Sequence, residues 1–279
     1  MGLLAAPLLP SQLARFHRER YAVIPNWLPP TEIAQLRADA LALDAGGHAV
    51  ASLVGDAGGA QLENGEELRR SRSVGLFPPP PNHDGCVATR AELIRSVRAL
   101  RDQLQAADRL ALPRLEPFDI ELKYLLYPVG GHFTRHLDAK RENDGWRLNG
   151  RSAADGGSFS GSAHRRVVSF ILYLNEGWDA ADGGALRVYP AYEDGRRGGL
   201  GKSAQHAEDV YPDGGTLVLV DSAAVEHAVL ETRKERQCVV GWFREARAVP
   251  WVEPDRDAMS LRAKYWATDG AAHTVDSGH

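Results

Sequence analysis

The chain has 279 residues, of which 43% are hydrophobic and 25% charged, which is the composition of a globular protein and not of a disordered, collagenous or coiled-coil one. A net charge of −4 excludes a strong overall field toward nucleic acid or an anionic membrane. The two cysteines, Cys86 and Cys238, are too few for a disulfide framework or a CxxC metal site. We therefore expect a cytoplasmic protein in a reducing environment, without a nucleic-acid partner.

The N-terminal third of the chain has the patterns of helices. Ser11 is expected to cap a short first helix, and the apolar run at 21–25 predicts a strand. Thr31 precedes apolar residues at helical spacing, which predicts an amphipathic helix of about three turns. Thr89 and Glu92 have the spacing of a capping box at the start of a further helix. We interpret the apolar stripes of these helices as core packing.

The segment 48–84 interrupts the helical pattern. It is rich in glycine, contains the charged run GEELRRSR and ends in four prolines at 78–81. This composition predicts a long loop or a hairpin. Such a segment can be a lid that grips a substrate, or it can be solvated irregular surface, and the sequence leaves both open.

From residue 120 onward, short β-type runs are separated by glycine, proline and aspartate. No helix-length crossover separates them, so the pattern favours an antiparallel sandwich or barrel over βαβ units. The longest apolar runs are too short to cross a bilayer, and we expect no membrane partner. We expect one structural domain in three parts: a helical support with the Gly/Pro-rich loop at 1–119, a β core at 120–250, and a C-terminal helix with a frayed tail at 251–279.

A candidate metal site begins with His136 and Asp138. Side chains two residues apart on an extended chain point to the same face, so this imidazole and this carboxylate can reach one ion. His-x-Asp recurs by chance in a chain with ten histidines, so the prediction depends on a third ligand. We choose His227, because it follows a predicted strand and a turn. Two histidines and one carboxylate form the facial arrangement of non-haem Fe(II) oxygenases.

Arg236 lies nine residues after His227 and opens the predicted strand RQCVVGWF. Alternate residues of a strand point to the same face, so Arg236 lies on the same face as Cys238, Val240 and Trp242. We predict that this is the interior face of the sheet. A guanidinium there is costly unless it meets an anion, and bidentate pairing with a carboxylate meets that need. The alternative is a solvated arginine within the charged run ETRKER.

Four segments in one order resemble the prolyl 4-hydroxylase branch of the 2-oxoglutarate- and Fe(II)-dependent oxygenases. They are most similar to the hypoxia-inducible-factor prolyl hydroxylases and their bacterial relatives. The segments are YPVGGHFTRHLD (127–138), FILYLNEGWDAADGGALRVYP (170–190), GGTLVLVD (214–221) and HAVLETRKERQCVVGWF (227–243). The resemblance extends over about 124–245, and the first third of the chain is similar only in the order of its elements.

The resemblance implies a role for each matching residue. The iron ligands would be His136, Asp138 and His227, and Arg236 would bind the far carboxylate of 2-oxoglutarate. The cosubstrate pocket would be lined by Tyr127, Ile171, Tyr173, Leu186 and Trp242, with the Tyr173 hydroxyl assisting Arg236. Arg166 matches, more weakly, a basic residue near the entrance for a peptide substrate.

The resemblance also implies a fold and a set of cofactors. The fold would be mainly β within an α+β class: a double-stranded β-helix, or jelly roll, supported by N-terminal helices. The cofactors would be Fe(II), the cosubstrate 2-oxoglutarate and O2, with ascorbate supporting activity.

Two departures from the family pattern concern the substrate. Phe133 stands where the family usually has tyrosine, which removes a hydroxyl from the pocket. The linker between Asp138 and Arg166 is longer than in the hypoxia enzymes, and a further insertion lies at 193–208. Neither departure changes the predicted iron ligands.

Three functions compete at this stage. The first is hydroxylation of a prolyl residue in a protein or peptide, and the second is hydroxylation of a free amino acid or another small metabolite. The third is a non-catalytic module that binds a metal or 2-oxoglutarate. A damaged ligand set or a missing Arg236 would favour the third, and the sequence has neither.

Overall fold

The computed structural model describes residues 5–52, 65–76, 84–107, 110–117, 120–139, 141–142, 145–146, 166–190 and 207–246. Its helices are α1 (Pro10–Glu19), α2 (Pro30–Ala45), α3 (Gly65–Leu68) and α4 (Val87–Ala106), with a 3-10 turn at Ala180–Asp182. Its strands are β1 (Tyr21–Ile24), β2 (Val50–Ala51), β3 (Arg72–Gly75), β4 (Glu121–Tyr127), β5 (Phe133–His136), β6 (Arg141–Glu142), β7 (Gly145–Trp146), β8 (Arg166–Tyr173), β9 (Leu186–Tyr189), β10 (Glu208–Val210), β11 (Leu217–Asp221), β12 (Glu226–Val229) and β13 (Arg236–Arg244). None of these helices is long and apolar enough to span a membrane.

Two antiparallel sheets form the β core. The major sheet has the strand order β1-β11-β8-β13-β4-β3-β2, the minor sheet has the order β10-β9-β12-β5, and β6 pairs with β7. The pairings between the described strands are all antiparallel. Side chains of both sheets meet in one apolar cluster, which contains Ile171 and Val240 of the major sheet and Leu186 and Val229 of the minor sheet. The predicted jelly roll is therefore confirmed.

The major sheet is buried on both faces, as the alternation along β13 illustrates. Val239 and Phe243 belong to the outer cluster, which also contains the apolar side chains of α2 and α4. Cys238, Val240 and Trp242 belong to the inner cluster between the two sheets. Each fully buried side chain of this size contributes about 1.5–3 kcal/mol. The helices therefore cover one face of the sheet, and the interior face is left for the site.

The N-terminal third contains strands as well as helices. β1 pairs with β11 at one edge of the major sheet, and β3 pairs with β4 toward the other. β2 and β3 form an antiparallel pair within 48–84, which agrees with the hairpin alternative. The ranges 53–64 and 77–83 lie outside the described residues, as do the predicted C-terminal helix and tail at 251–279.

Two predicted helix starts are wrong, by two and by three residues. α1 begins at Pro10 with Leu9 at its N-cap, so Ser11 is not the cap. α4 begins at Val87 with Cys86 at its N-cap, so the capping box that begins at Thr89 is not formed. The start of α4 is fixed instead by a long-range contact, because the Cys86 backbone N–H donates to Asp39 Oδ1.

Asp39 is the buried polar centre that joins α2, α4 and the major sheet. Its Oδ2 accepts a hydrogen bond from Tyr124 Oη at 2.9 Å and lies 3.3 Å from Arg90 Nε. Both charged side chains are nearly inaccessible to solvent. Removing one partner of such a pair leaves an uncompensated buried charge.

We predict that Asp39→Ala lowers the free energy of unfolding by about 3–5 kcal/mol, because the Arg90 guanidinium would stay buried without its counter-ion. Urea unfolding measures the change. Glu92→Ala is the control, since Glu92 makes an exposed ion pair with Arg95, which contributes about 1 kcal/mol or less. Equal effects of the two substitutions would contradict the structural role of Asp39.

Candidate metal and cosubstrate site

The pairing of β5 with β12 brings two histidines together. His227 is the register partner of His136, and their ring centroids are 4.4 Å apart. Asp138 follows β5 by two residues; its Oδ1 lies 3.5 Å from His136 Nε2 and its Oδ2 lies 3.6 Å from His227 Nε2. One ligand atom from each of the three residues lies within 4.8 Å of the others. The structure thus brings together the three residues that the sequence predicts as metal ligands.

Backbone carbonyls orient both imidazoles. His136 Nδ1 lies 2.8 Å from the Thr134 carbonyl oxygen, and His227 Nδ1 lies 3.3 Å from that of Val225. A carbonyl oxygen only accepts, so each Nδ1 is assigned as the protonated donor. The Nε2 lone pairs then point to the shared space, as in metal sites where the second ring nitrogen is held by a hydrogen bond.

The electrostatics of the cluster favour the protonation states that a metal ion requires. Burial lowers the pKa of His227 to about 4, and the His136 imidazole acts in the same direction. Burial would raise the pKa of Asp138, but His227, His136 and Arg166 outweigh it and hold that pKa well below its usual range. At neutral pH, His227 is therefore a neutral imidazole and Asp138 is a carboxylate.

Arg236, at the start of β13, is almost completely buried. Its Nε donates to the Gly184 carbonyl oxygen at 2.9 Å, and its Nη1 lies 3.6 Å from Cys238 Sγ. Its Nη2 has no hydrogen-bond partner among the described residues, and neither does the buried Tyr173 Oη. The Arg236 Cζ atom lies 4.8 Å from the ring centroid of Tyr127 and 5.1 Å from that of Tyr173.

Unpaired polar atoms in a buried position call for a ligand. An isolated guanidinium is costly to bury, and burial raises the pKa of Tyr173 and so keeps its hydroxyl protonated. Together, Arg236 Nη2 and Tyr173 Oη offer two N–H or O–H donors, which suit one carboxylate. The residues present therefore fit a diacid such as 2-oxoglutarate, and the two imidazoles with one carboxylate fit Fe(II).

The other predicted pocket residues lie on the interior face. Ile171, Leu186 and Trp242 are buried in the inner cluster together with Tyr127 and Tyr173. Arg166 lies at the edge of this cluster, and its Cζ is 3.9 Å from the Trp242 ring centroid. Arg166 is bound to the carboxylate of Glu121, at an Nε–Oε2 distance of 3.0 Å.

Four residues near the site were not predicted. Gly184 and Cys238 contact Arg236 directly, and a Cβ atom at Gly184 would lie 3.1 Å from Arg236 Cδ. Lys123 shares the interior parity of β4 with residues of the inner cluster, a signal that was present in the sequence. Arg69 lies with its Cζ 4.5 Å from the Phe133 ring centroid, and no local pattern could have identified it.

Phe133, the departure from the family pattern, lies directly against the metal cluster. Its ring stacks on His136 with centroids 3.7 Å apart and an interplanar angle of 23°. An apolar ring at this position supports the orientation of His136 through packing and offers no hydroxyl to a ligand.

Comparison with known proteins agrees with this geometry. Residues 122–244, which contain His136, Asp138, His227 and Arg236, match the model of the 2OG-Fe(II) oxygenase superfamily. A prolyl-4-hydroxylase from Pseudomonas putida is 27% identical in sequence, with a TM-score of 0.60. The alignment covers 86% of this chain and 100% of the Pseudomonas putida chain.

Two further solved structures share the fold. A prolyl hydroxylase from Trichoplax adhaerens, in complex with a peptide fragment of the hypoxia inducible factor oxygen degradation domain, is 16% identical with a TM-score of 0.59, over 84% of this chain and 87% of that one. The carbocyclase SnoK from nogalamycin biosynthesis is 16% identical with a TM-score of 0.53, and the alignment covers 91% of this chain and 93% of the SnoK chain. Enzymes of this superfamily use Fe(II), 2-oxoglutarate and O2, and the match supports a dioxygenase activity for this chain.

The pH dependence of stability should report on Glu121, which lies beside the site. Burial would raise the pKa of Glu121, but Arg166, Lys123 and Arg244 outweigh it and lower that pKa to about 2. A lowered pKa in the folded state gives stability that is present above the unfolded pKa and is lost as the pH falls toward the folded one.

We predict that wild type is more stable than Glu121→Gln above pH 4.5 and that the difference disappears as the pH falls toward about 2. Urea unfolding of both proteins across this pH range measures it. A difference that does not change with pH would mean that Glu121 acts through packing and not through its charge.

Proposed function

We propose that this protein is a 2-oxoglutarate- and Fe(II)-dependent dioxygenase and that it hydroxylates a prolyl residue in a protein or peptide. The observation that carries the proposal is the similarity to the Pseudomonas putida prolyl-4-hydroxylase, at 27% identity over 100% of that chain. The metal–cosubstrate centre, when bound, supplies the oxidation of an unactivated C–H bond. The protein's own residues bind, orient and enclose the reactants.

His136, Asp138 and His227 are the proposed metal ligands. They would hold one face of the ion and would leave neighbouring positions for the cosubstrate and O2. The backbone carbonyls of Thr134 and Val225 keep both Nε2 lone pairs available. Because Asp138 is ionised and His227 neutral near pH 7, binding of the metal does not require these two groups to lose protons.

Arg236 and Tyr173 are the proposed anchor of the cosubstrate. Arg236 Nη2 and Tyr173 Oη would donate to its far carboxylate and so satisfy two buried atoms that otherwise lack partners among the described residues. The Gly184 carbonyl and the Cys238 thiol hold the other side of the guanidinium. Ile171, Leu186 and Trp242 would exclude water from the reacting centre.

The substrate can be tested directly. Purified protein is incubated with Fe(II), ascorbate and 2-oxoglutarate, and either proline-containing peptides or free amino acids are added. Succinate is measured, together with the mass of one added oxygen on the substrate. Turnover of peptides supports the proposal, whereas turnover of free amino acids alone supports a small-metabolite hydroxylase. No turnover with either class, combined with tight Zn(II) binding, would favour a binding module.

We expect His136→Ala and Asp138→Ala to abolish turnover and to weaken binding of Mn(II), a redox-stable probe, by at least about tenfold, because each removes one of three metal ligands. Calorimetry measures the metal affinity. His48→Ala is the control, since His48 pairs with Asp84 at the surface. Wild-type affinity in either ligand variant would disprove the assignment of the metal site.

Arg236→Ala should raise the KM for 2-oxoglutarate about ten- to a hundredfold, because a charge-assisted hydrogen bond contributes about 1.5–3 kcal/mol. Steady-state kinetics measure the KM. Arg187→Ala is the matched control, since Arg187 lies next to Leu186 but pairs with Asp209 away from the inner cluster. An unchanged KM in Arg236→Ala would reject the anchor.

A further inference from the structure

A second group of cations lies on the interior side of the β core, and the proposed function does not use it. We call it the basic rim and define it as Arg69, Lys123 and Arg166. Lys123 alternates on β4 with Leu125 and Tyr127, which belong to the inner cluster. Its Nζ lies 4.9 Å from the Trp242 ring centroid, and 26% of the side chain is exposed. An interior-facing ammonium is costly unless an anion meets it.

The basic rim lies beside the metal cluster on two sides. On one side, Arg166 Nη1 lies 3.5 Å from the Asp138 carbonyl oxygen. On the other side, the guanidinium of Arg69 lies over Phe133, whose ring stacks on His136. A group held by the rim would therefore be adjacent to the proposed reacting centre.

Positive charge exceeds negative charge within the rim. Glu121 forms ion pairs with it, at 3.6 Å from Lys123 Nζ and 2.5 Å from Arg166 Nη2, and the nearby Asp138 carboxylate, whose pKa Arg166 helps to lower, is the proposed metal ligand. Glu121 also binds Arg244 at 2.9 Å, so a single carboxylate is shared among three cations. No described carboxylate forms an ion pair with Arg69. Burial lowers the pKa of Lys123, and the charges of Arg166 and Arg69 lower it further. Glu121 acts in the opposite direction and raises that pKa, but its effect is smaller than the sum of the others.

Lys123 and Arg166 lie away from the proposed cosubstrate anchor, whereas Arg69 lies nearer to it: burial raises the pKa of Tyr127, and the charge of Arg69 acts to lower it. Arg236 and Trp242 are six residues apart on β13, which corresponds to about 20 Å along the strand. Lys123 and Arg166 both lie against Trp242. A diacid held by Arg236 at the other end of the strand would leave Lys123 and Arg166 for a different anion.

We propose that the basic rim binds a carboxylate of the substrate, so that the substrate is an acid. This inference deepens the proposed function and rests on it for the identity of the bound molecule as substrate. The carboxylate could belong to a free acid, such as an amino acid, or to an acidic side chain next to the target residue of a peptide. Lys123 supplies the central charge and the two guanidiniums flank it.

Matched acids and amides test the proposal. The first pair is L-proline and L-prolinamide, and the second is acetyl-Pro-Glu-amide and acetyl-Pro-Gln-amide. Binding of each is measured by calorimetry to protein loaded with 2-oxoglutarate and Zn(II), which has no redox chemistry. Succinate formation is measured in parallel with Fe(II). The variants are Lys123→Met, which removes the charge at similar length, Lys123→Arg, which restores it, and Arg18→Gln, an exposed control with the same change in net charge.

We expect at least one acid to bind about tenfold or more tightly than its amide, a difference of about 1.4 kcal/mol. The preference should fall to within about threefold in Lys123→Met, return in Lys123→Arg and remain in Arg18→Gln. High salt should reduce it in the wild type, because the rim is partly exposed. A preference in the first pair identifies a free acid, and one in the second pair identifies an acidic side chain.

The proposal is wrong if the acid and the amide of both pairs bind equally, if neither binds, or if the preference persists in Lys123→Met. Other outcomes distinguish failure of the proposed hydroxylation from failure of the basic rim. An acid preference in binding without succinate formation above the substrate-free rate would keep the rim and reject hydroxylation of these probes. Hydroxylation of both members of a pair at equal rates and affinities would keep the hydroxylase and reject the rim.

Discussion

The antiparallel pairing of β5 with β12 is the constraint on which the site depends. It sets His227 opposite His136, and Asp138 reaches both imidazoles only because the chain leaves β5 at that point. A shift of one residue in this register would turn His227 to the other face of the minor sheet. The register is stabilised by the apolar neighbours Val225 and Val229, which are buried in the inner cluster at about 1.5–3 kcal/mol each.

The major sheet supplies the second half of the site because it is buried on both faces. Its outer face packs on the helices, and its inner face carries a few polar side chains beside the apolar cluster that it shares with the minor sheet. Arg236, Tyr173 and Lys123 occupy such positions, and each would destabilise the fold if it had no partner. Burial of the outer face stabilises the fold and offsets the cost of the unpaired donors of Arg236 and Tyr173 in the interior.

Local patterns were sufficient to propose His136, Asp138 and Arg236, whereas the residues of the cosubstrate pocket were proposed from the family resemblance. The spacing of His136 and Asp138 and the parity of Arg236 on β13 are both short-range features of an extended chain. Lys123 follows from the same alternation on β4 and could have been predicted. Arg69 could not, because its position next to Phe133 depends on a pairing between segments more than 60 residues apart in the chain. The start of α4 also escaped prediction, since the distant Asp39 determines it.

The two groups of cations in the interior differ in the kind of anion that they can select. Arg236 is enclosed, with its Nε and Nη1 held by Gly184 and Cys238, so only one edge of the guanidinium is available and the geometry of its partner is fixed. The basic rim is partly exposed and already shares Glu121, so water and this carboxylate can take the place of a departing ligand at low cost. An enclosed donor suits a cosubstrate of constant structure, whereas a hydrated rim suits a substrate that must enter and leave in every cycle. The different burial of two similar charges is therefore enough to separate the two binding tasks within one β core.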